Sequence, residues 1–195
     1  MKPKKINALI SISGLILFFI IVMCLHFLRP DKNMLSCFVS EYAVGNYSWL
    51  MTIAFYALSL ASTLLLFGLS LQVTSSLICK ITLGFFSIGI LMAGVFPTDV
   101  PGFPQTTAGL IHGFAALIAL LSLAISMIVW GISFKNNHEF KKFARPSVLW
   151  GLTSLILLII FIGSPIGLRG LTQRLLLVCD ISWLLLISMK LYRIN

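Results

Sequence analysis

The run AGLIHGFAALIALLSLAISMIVWGISF, residues 108–134, contains no lysine, arginine, aspartate or glutamate. At a helical rise of ~1.5 Å per residue it is long enough to cross the ~30 Å hydrocarbon core of a bilayer, so it reads as a membrane-spanning helix. Five further apolar runs flank it, at residues 6–28, 48–71, 81–96, 146–163 and 171–192. The pattern predicts an all-α polytopic membrane protein, a bundle of six transmembrane helices forming a single integral membrane domain over residues 1–195. The connections are short, and the longest, residues 29–47, leaves no room for a separate soluble domain. The third run is the shortest. It is followed by Phe96-Pro97-Thr98-Asp99-Val100-Pro101-Gly102-Phe103-Pro104, whose prolines predict an unwound connection at the membrane surface.

Composition supports the same class. Hydrophobic residues make up 59% of the chain and charged residues 10%, against about a quarter charged in soluble domains. The net charge of +9 does not point to nucleic acid, because the basic residues lie in short groups between apolar runs. Four cysteines in 195 residues are no disulfide framework, and the sequence leaves open whether Cys24 and Cys37 pair. The start, Met1-Lys2-Pro3-Lys4-Lys5 before an apolar run, has the charge pattern of a secretory signal. The run is too long for one and lacks a small-x-small cleavage site, so it reads as a retained span.

With six spans, Lys2, Lys4, Lys5, Lys80, Lys135, Lys141, Lys142, Arg145, Lys190 and Arg193 fall on the side of the termini. Arg29, Lys32, Arg169 and Arg174 fall on the other. Basic residues in short loops resist translocation, so both termini are expected in the cytoplasm. Tyr47 and Trp49 at one interface, with Trp130, Trp150 and Tyr192 near the other, fit the aromatic belts of a spanning bundle.

Four of the five acids, Asp31, Glu41, Asp99 and Asp180, lie on or toward the outer side. Asp180 is about 14 Å along the last span, near the bilayer midplane, where an acid is expected to face the bundle interior and find a partner. Gln173, seven residues earlier, shares nearly the same face. His112 lies about one turn inside the fourth span on a stripe of Ala108, Ala115, Ala116, Ala119 and Ser126, which places it inside the bundle. Glu41 stands in a connection whose apolar neighbours place it against the membrane surface. Glu41, Asp99, His112 and Arg174 are therefore expected to form an outward-facing polar pocket, floored by Gln173 and Asp180, with the two acids balancing Arg174. Such a pocket suits a lipid headgroup or a small polar ligand.

Ser40-Glu41-Tyr42-x-x-Gly45, Phe96-Pro97-Thr98-Asp99, Gly109-x-x-His112 and Gly170-x-x-Gln173-Arg174, in that order on six spans, resemble the bacterial membrane family known as domain of unknown function 998. The resemblance covers nearly the whole chain. It implies a six-helix integral membrane protein of a bacterial plasma membrane, and no activity. Gln173 stands where that family often has an acid.

Other classes stay open. Asp99 and His112 are candidates for acid–base catalysis, and Glu41, Asp99 and His112 for a zinc site if the long connection folds back. His26 and His112 are both outward, the minimum for a haem, but no helical His-x-x-x-His supports one. Ser40, Thr98 and Tyr42 are nucleophile candidates by proximity alone. No phosphate loop, dinucleotide fingerprint or Cys-x-x-Cys occurs, so no cofactor is expected. Asp180 would suit a proton or solute path, although no inverted repeat is visible. The small-residue stripes would also suit an accessory subunit packed against a membrane-protein partner. The expected partners are otherwise the bilayer itself and a lipid or small molecule.

Overall fold

The computed structural model describes residues 3–194, so Lys2, counted above with the basic residues of the terminal side, lies outside them. Six helices follow one another: α1 (Pro3–Leu28), α2 (Ser48–Gln72), α3 (Leu77–Val95), α4 (Thr107–Phe134), α5 (Ala144–Gly163) and α6 (Arg169–Arg193). All six are long and apolar enough to cross a membrane, and there is no strand among the described residues. The chain is thus a multi-pass membrane protein. The third helix begins at Leu77, four residues before its apolar run, because Lys80 can extend toward the interface from the first turn of a spanning helix.

Each helix packs against its chain neighbours, and α6 returns to α1, which closes the six into a ring. Both termini share one end with the α2–α3 and α4–α5 connections. The other three connections form the far end. Large apolar side chains such as Phe19, Phe67, Phe114 and Ile159 point outward, as they must where the neighbour is a lipid chain. Burying apolar surface gains nothing against lipid, so the ring is held by close packing and by hydrogen bonds between helices.

Close packing is clearest where α3 meets α4. A Cβ on Gly89 would stand 2.7 Å from the Ala115 carbonyl oxygen and 2.8 Å from the Ala119 Cβ. The small-residue stripe of α4 therefore faces α3, and His112 lies on the same face.

The hydrogen bonds run around the ring. Ser11 and Ser188 join α1 to α6 through their hydroxyls at 2.8 Å. Ser59 donates to the Ser87 carbonyl and Ser87 to the Ser62 hydroxyl, both at 2.8 Å, joining α2 to α3. Trp130 Nε1 donates to the Cys79 carbonyl at 3.0 Å, joining α4 to α3. Between α5 and α6, Ser154 Oγ donates to Asp180 Oδ1 at 2.6 Å and Trp183 Nε1 to Ser147 Oγ at 2.9 Å. Such bonds contribute on the order of 0.6 kcal/mol each, and reach about 1.7.

Gly89→Leu is expected to lower the unfolding temperature in detergent, corresponding to about 1–3 kcal/mol of overpacking. Ile88→Leu, at the neighbouring lipid-facing position, is expected to leave it unchanged. Circular dichroism melts of the two variants check both outcomes.

Candidate functional site

The far end is built by the connection between α1 and α2, which folds back over the bundle instead of standing clear of it. Its middle forms a 3₁₀ segment, Val39–Ala43, with Val39, Glu41 and Tyr42 buried. A non-helical backbone at this depth needs hydrogen-bond partners from elsewhere. Two arginines, Arg29 at the start of the connection and Arg174 on α6, take up four of its carbonyls. Arg29, only 7% exposed, holds Asp31 through Nε and Nη2, both at 2.8 Å, and donates through Nη1 to the carbonyls of Val44 at 2.9 Å and Asn46 at 2.8 Å. The bond to Arg29 holds the Asp31 carboxyl below its ordinary range.

Arg174, on the first turns of α6, holds the middle of the same connection. Its Nη1 lies within reach of the carbonyls of Met34 at 2.9 Å, Cys37 at 2.8 Å and Gly170 at 2.9 Å, and its Nη2 is 3.4 Å from the Tyr42 hydroxyl. Its Nε donates to His26 Nε2 at 3.0 Å. Arginine is always protonated, so His26 must accept here and is neutral, with its proton on Nδ1 facing the Val22 carbonyl. Beside Arg174, Gln173 Oε1 accepts from the Val39 amide at 2.7 Å, and the Leu171 amide donates to Leu35 at 3.0 Å. Gly170 permits this seating. A Cβ there would lie 2.5 Å from both the Met34 and the Cys37 carbonyl oxygens.

The acids are engaged elsewhere. Glu41, 4% exposed, pairs with Lys32 at 3.0 Å and accepts from the Phe38 amide at 2.9 Å. Asp99 accepts from the amide of Thr106 at 3.0 Å and its hydroxyl at 2.7 Å, and the same hydroxyl caps α4 at the Gly109 amide. His112 Nδ1 faces the carbonyls of Ala93 at 3.0 Å and Phe96 at 2.9 Å, which α3 leaves unpaired where it ends. Asp99 and His112 thus serve the two sides of the α3–α4 connection, with no hydrogen bond between them. Glu41, Asp99, His112 and Arg174 do not form one hydrogen-bonded network.

This differs from the charge balance expected from sequence. Lys32, nine residues before Glu41 in the same connection, takes that acid, and Asp99 is spent on a helix start. Arg174 consequently forms no ion pair among the described residues. Its titratable neighbours supply no anion either. Burial pushes the Tyr42 phenol above its ordinary value, and burial, followed by the charge of Glu41, pushes the Cys37 thiol up to about 11. Cys24 and Cys37 are both free thiols. No group of three His, Cys, Asp or Glu side chains able to hold a metal ion occurs among the described residues, so the Glu41, Asp99 and His112 set does not come together.

Two spaces adjoin this end. A cavity of about 50 Å³ inside the ring is lined by His112 and Gln173 and roofed by Val39 and Ser40, with room for water but not for a ligand. Asp180 is not among the residues lining it, so Gln173 and Asp180 do not share a floor. A larger groove of about 410 Å³ runs between α1 and α6, with His26 and Arg174 at its far end and Phe19, Val22, Val178 and Leu185 along its walls.

A family model described as protein of unknown function (DUF998) matches residues 12–190. The chain belongs to that family. Comparison with curated proteins and with solved structures returned no match. The matched region of this DUF998 protein includes every motif behind the resemblance, and each acts at the far end. Gly170, Gln173 and Arg174 seat the long connection, Glu41 and Tyr42 belong to the seated segment, and Asp99 and His112 tie α3 to α4.

Sequence reasoning weighed His26 only as a haem ligand and Lys32 only as an outer-side base, and missed their pairing with Arg174 and Glu41 as well as the groove. His26 lies two residues before the end of the first apolar run and Arg174 three residues after the start of the last, a signal that would have paired them. Gln173→Leu is expected to leave the Val39 amide without its partner, a loss of about 1–3 kcal/mol. Hydrogen exchange over residues 34–43 should then accelerate while α3 and α4 stay protected.

Proposed function

We propose that this protein resides in a bacterial plasma membrane with both termini in the cytoplasm, and that its outward end binds an anionic polar group at Arg174. The group is a lipid headgroup or a small polar ligand, and the role is binding rather than catalysis. One observation carries this reading: Arg174 is a half-buried guanidinium whose partners among the described residues are all neutral, three carbonyls, a phenol and an imidazole. A charge withdrawn from water in this way gains from an anion that reaches it. Arg169 also lacks a carboxylate partner among the described residues, but it donates to the Ser164 carbonyl in the α5–α6 connection and does not line the groove. Asp99, Glu41 and His112 support the reading indirectly, by fixing the connections around Arg174.

Inorganic phosphate, compared with chloride at equal ionic strength, is expected to raise the unfolding temperature of the detergent-solubilised protein through ligand linkage. The rise should vanish in Arg174→Gln and persist in part in Arg174→Lys. An equal response of wild type and Arg174→Gln would overturn the anion site. For orientation, green fluorescent protein fused after Asn195 should fluoresce, and alkaline phosphatase at the same position should be inactive. The reverse pattern would put the far end in the cytoplasm.

A further inference from the structure

We infer that the anion is the headgroup of a bilayer phospholipid, one acyl chain of which occupies the groove between α1 and α6. This rests on the reading of Arg174 as an anion site and names its ligand.

The groove walls below the mouth are aliphatic and aromatic side chains, with Ser182 as an exception. Several of them face lipid outright: Phe19 is 53% exposed and Val178 is 58% exposed. The groove is therefore open sideways to the hydrocarbon core, not toward water. Its volume of about 410 Å³ falls within the ~300–1,000 Å³ usual for small-molecule sites. A soluble anion would reach Arg174 but leave this space to be filled by something else. A phospholipid fills both, because its charge and its chain are separated in the same direction as Arg174 and the groove.

Depth agrees with this arrangement. Arg174 is five residues from the start of α6, and His26 is two residues from the end of α1. Both sit at headgroup level if the helices cross the membrane. Moving a chain from bilayer to groove exchanges one apolar surrounding for another, so the chain itself provides little preference. Selectivity falls to the headgroup. A zwitterionic lipid brings its own cation to the mouth beside Arg174, whereas phosphatidylglycerol brings only the phosphate anion.

His26 shapes the mouth. Its Nε2 lone pair occupies the Nε edge of Arg174, and Nη1 is turned to the carbonyls of the long connection. Among the described residues, Nη2 has only the long contact to Tyr42. That nitrogen is the donor left for a phosphate oxygen.

The experiment is native mass spectrometry of the full chain released from mixed vesicles of phosphatidylglycerol and phosphatidylcholine in equal amounts. Wild type is expected to retain phosphatidylglycerol over phosphatidylcholine by about five- to tenfold, the preference one suitably placed arginine provides. Ser182→Trp, which fills the groove and leaves Arg174 in place, should lose that preference yet keep the stabilisation by inorganic phosphate. Arg174→Gln should lose both, and Ser182→Ala should lose neither. Retention of both lipids in equal amounts by wild type would overturn the proposal, leaving annular lipid only. A preference undiminished in Ser182→Trp would overturn the groove while sparing the anion site. Loss of the phosphate response in Arg174→Gln with the lipid preference intact would remove Arg174 as the headgroup's anchor.

Discussion

The guanidinium of Arg174 is what allows the first long connection to lie over the bundle. A segment without regular secondary structure cannot be pressed against apolar helices unless its carbonyl oxygens are taken up, since each would otherwise lose water without gaining a partner. Arginine is suited to this, because a rigid fork of five N–H donors on a long stem can serve several carbonyls at once. Met34, Cys37 and Gly170 converge on one nitrogen of that fork, and His26 takes the Nε edge. Arg29 does the same for the end of the connection at Val44 and Asn46. The difference between the two is charge. Arg29 has Asp31 beside it, and Arg174 pairs with no acid among the described residues.

That difference separates structural from functional readings of the polar residues. Glu41 with Lys32 is a closed ion pair, and Asp99 with the amide and hydroxyl of Thr106 and His112 with the end of α3 are hydrogen-bonded sets that do not border the groove between α1 and α6. Sets of this kind fix connections. Arg174 spends Nε and Nη1 on neutral partners, leaves Nη2 with a long contact to Tyr42 and its charge without an ion pair among the described residues, and does so at the mouth of the groove between α1 and α6.

The fold was legible because the bilayer imposes a single rule, about 20 apolar residues per helix, that composition alone can test. Five of the six helices begin within a few residues of their apolar runs, and the exception at Leu77 involves a lysine that hydropathy counts as polar although its stem is not. The site was legible only in part. Sequence places Arg174, Gln173 and Glu41 toward one end of the bundle, but which acid meets which base is decided by a connection whose backbone carries no periodic signal. Lys32 took Glu41 because both lie on one folded segment. Asp99 was unavailable because Thr106, two residues beyond Pro104, needed a partner to start α4. Neither pairing follows from residue type or spacing.

Asp180 shows why an unusual residue is not by itself a site. It is 1% exposed on α6, takes one hydrogen bond from Ser154, and its Oδ2 has no partner among the described residues. By the default reading of ionisable groups within a membrane it would be the first functional candidate. Yet it lines neither the groove between α1 and α6 nor the small cavity beneath the 3₁₀ segment. Its visible action is to tie α6 to α5, next to the Trp183 and Ser147 bond that does the same one turn further on. Binding needs an unmet interaction and a space from which to meet it. Asp180 has the first but borders neither of these two spaces, the small cavity is too small for a ligand, and Arg174 has both.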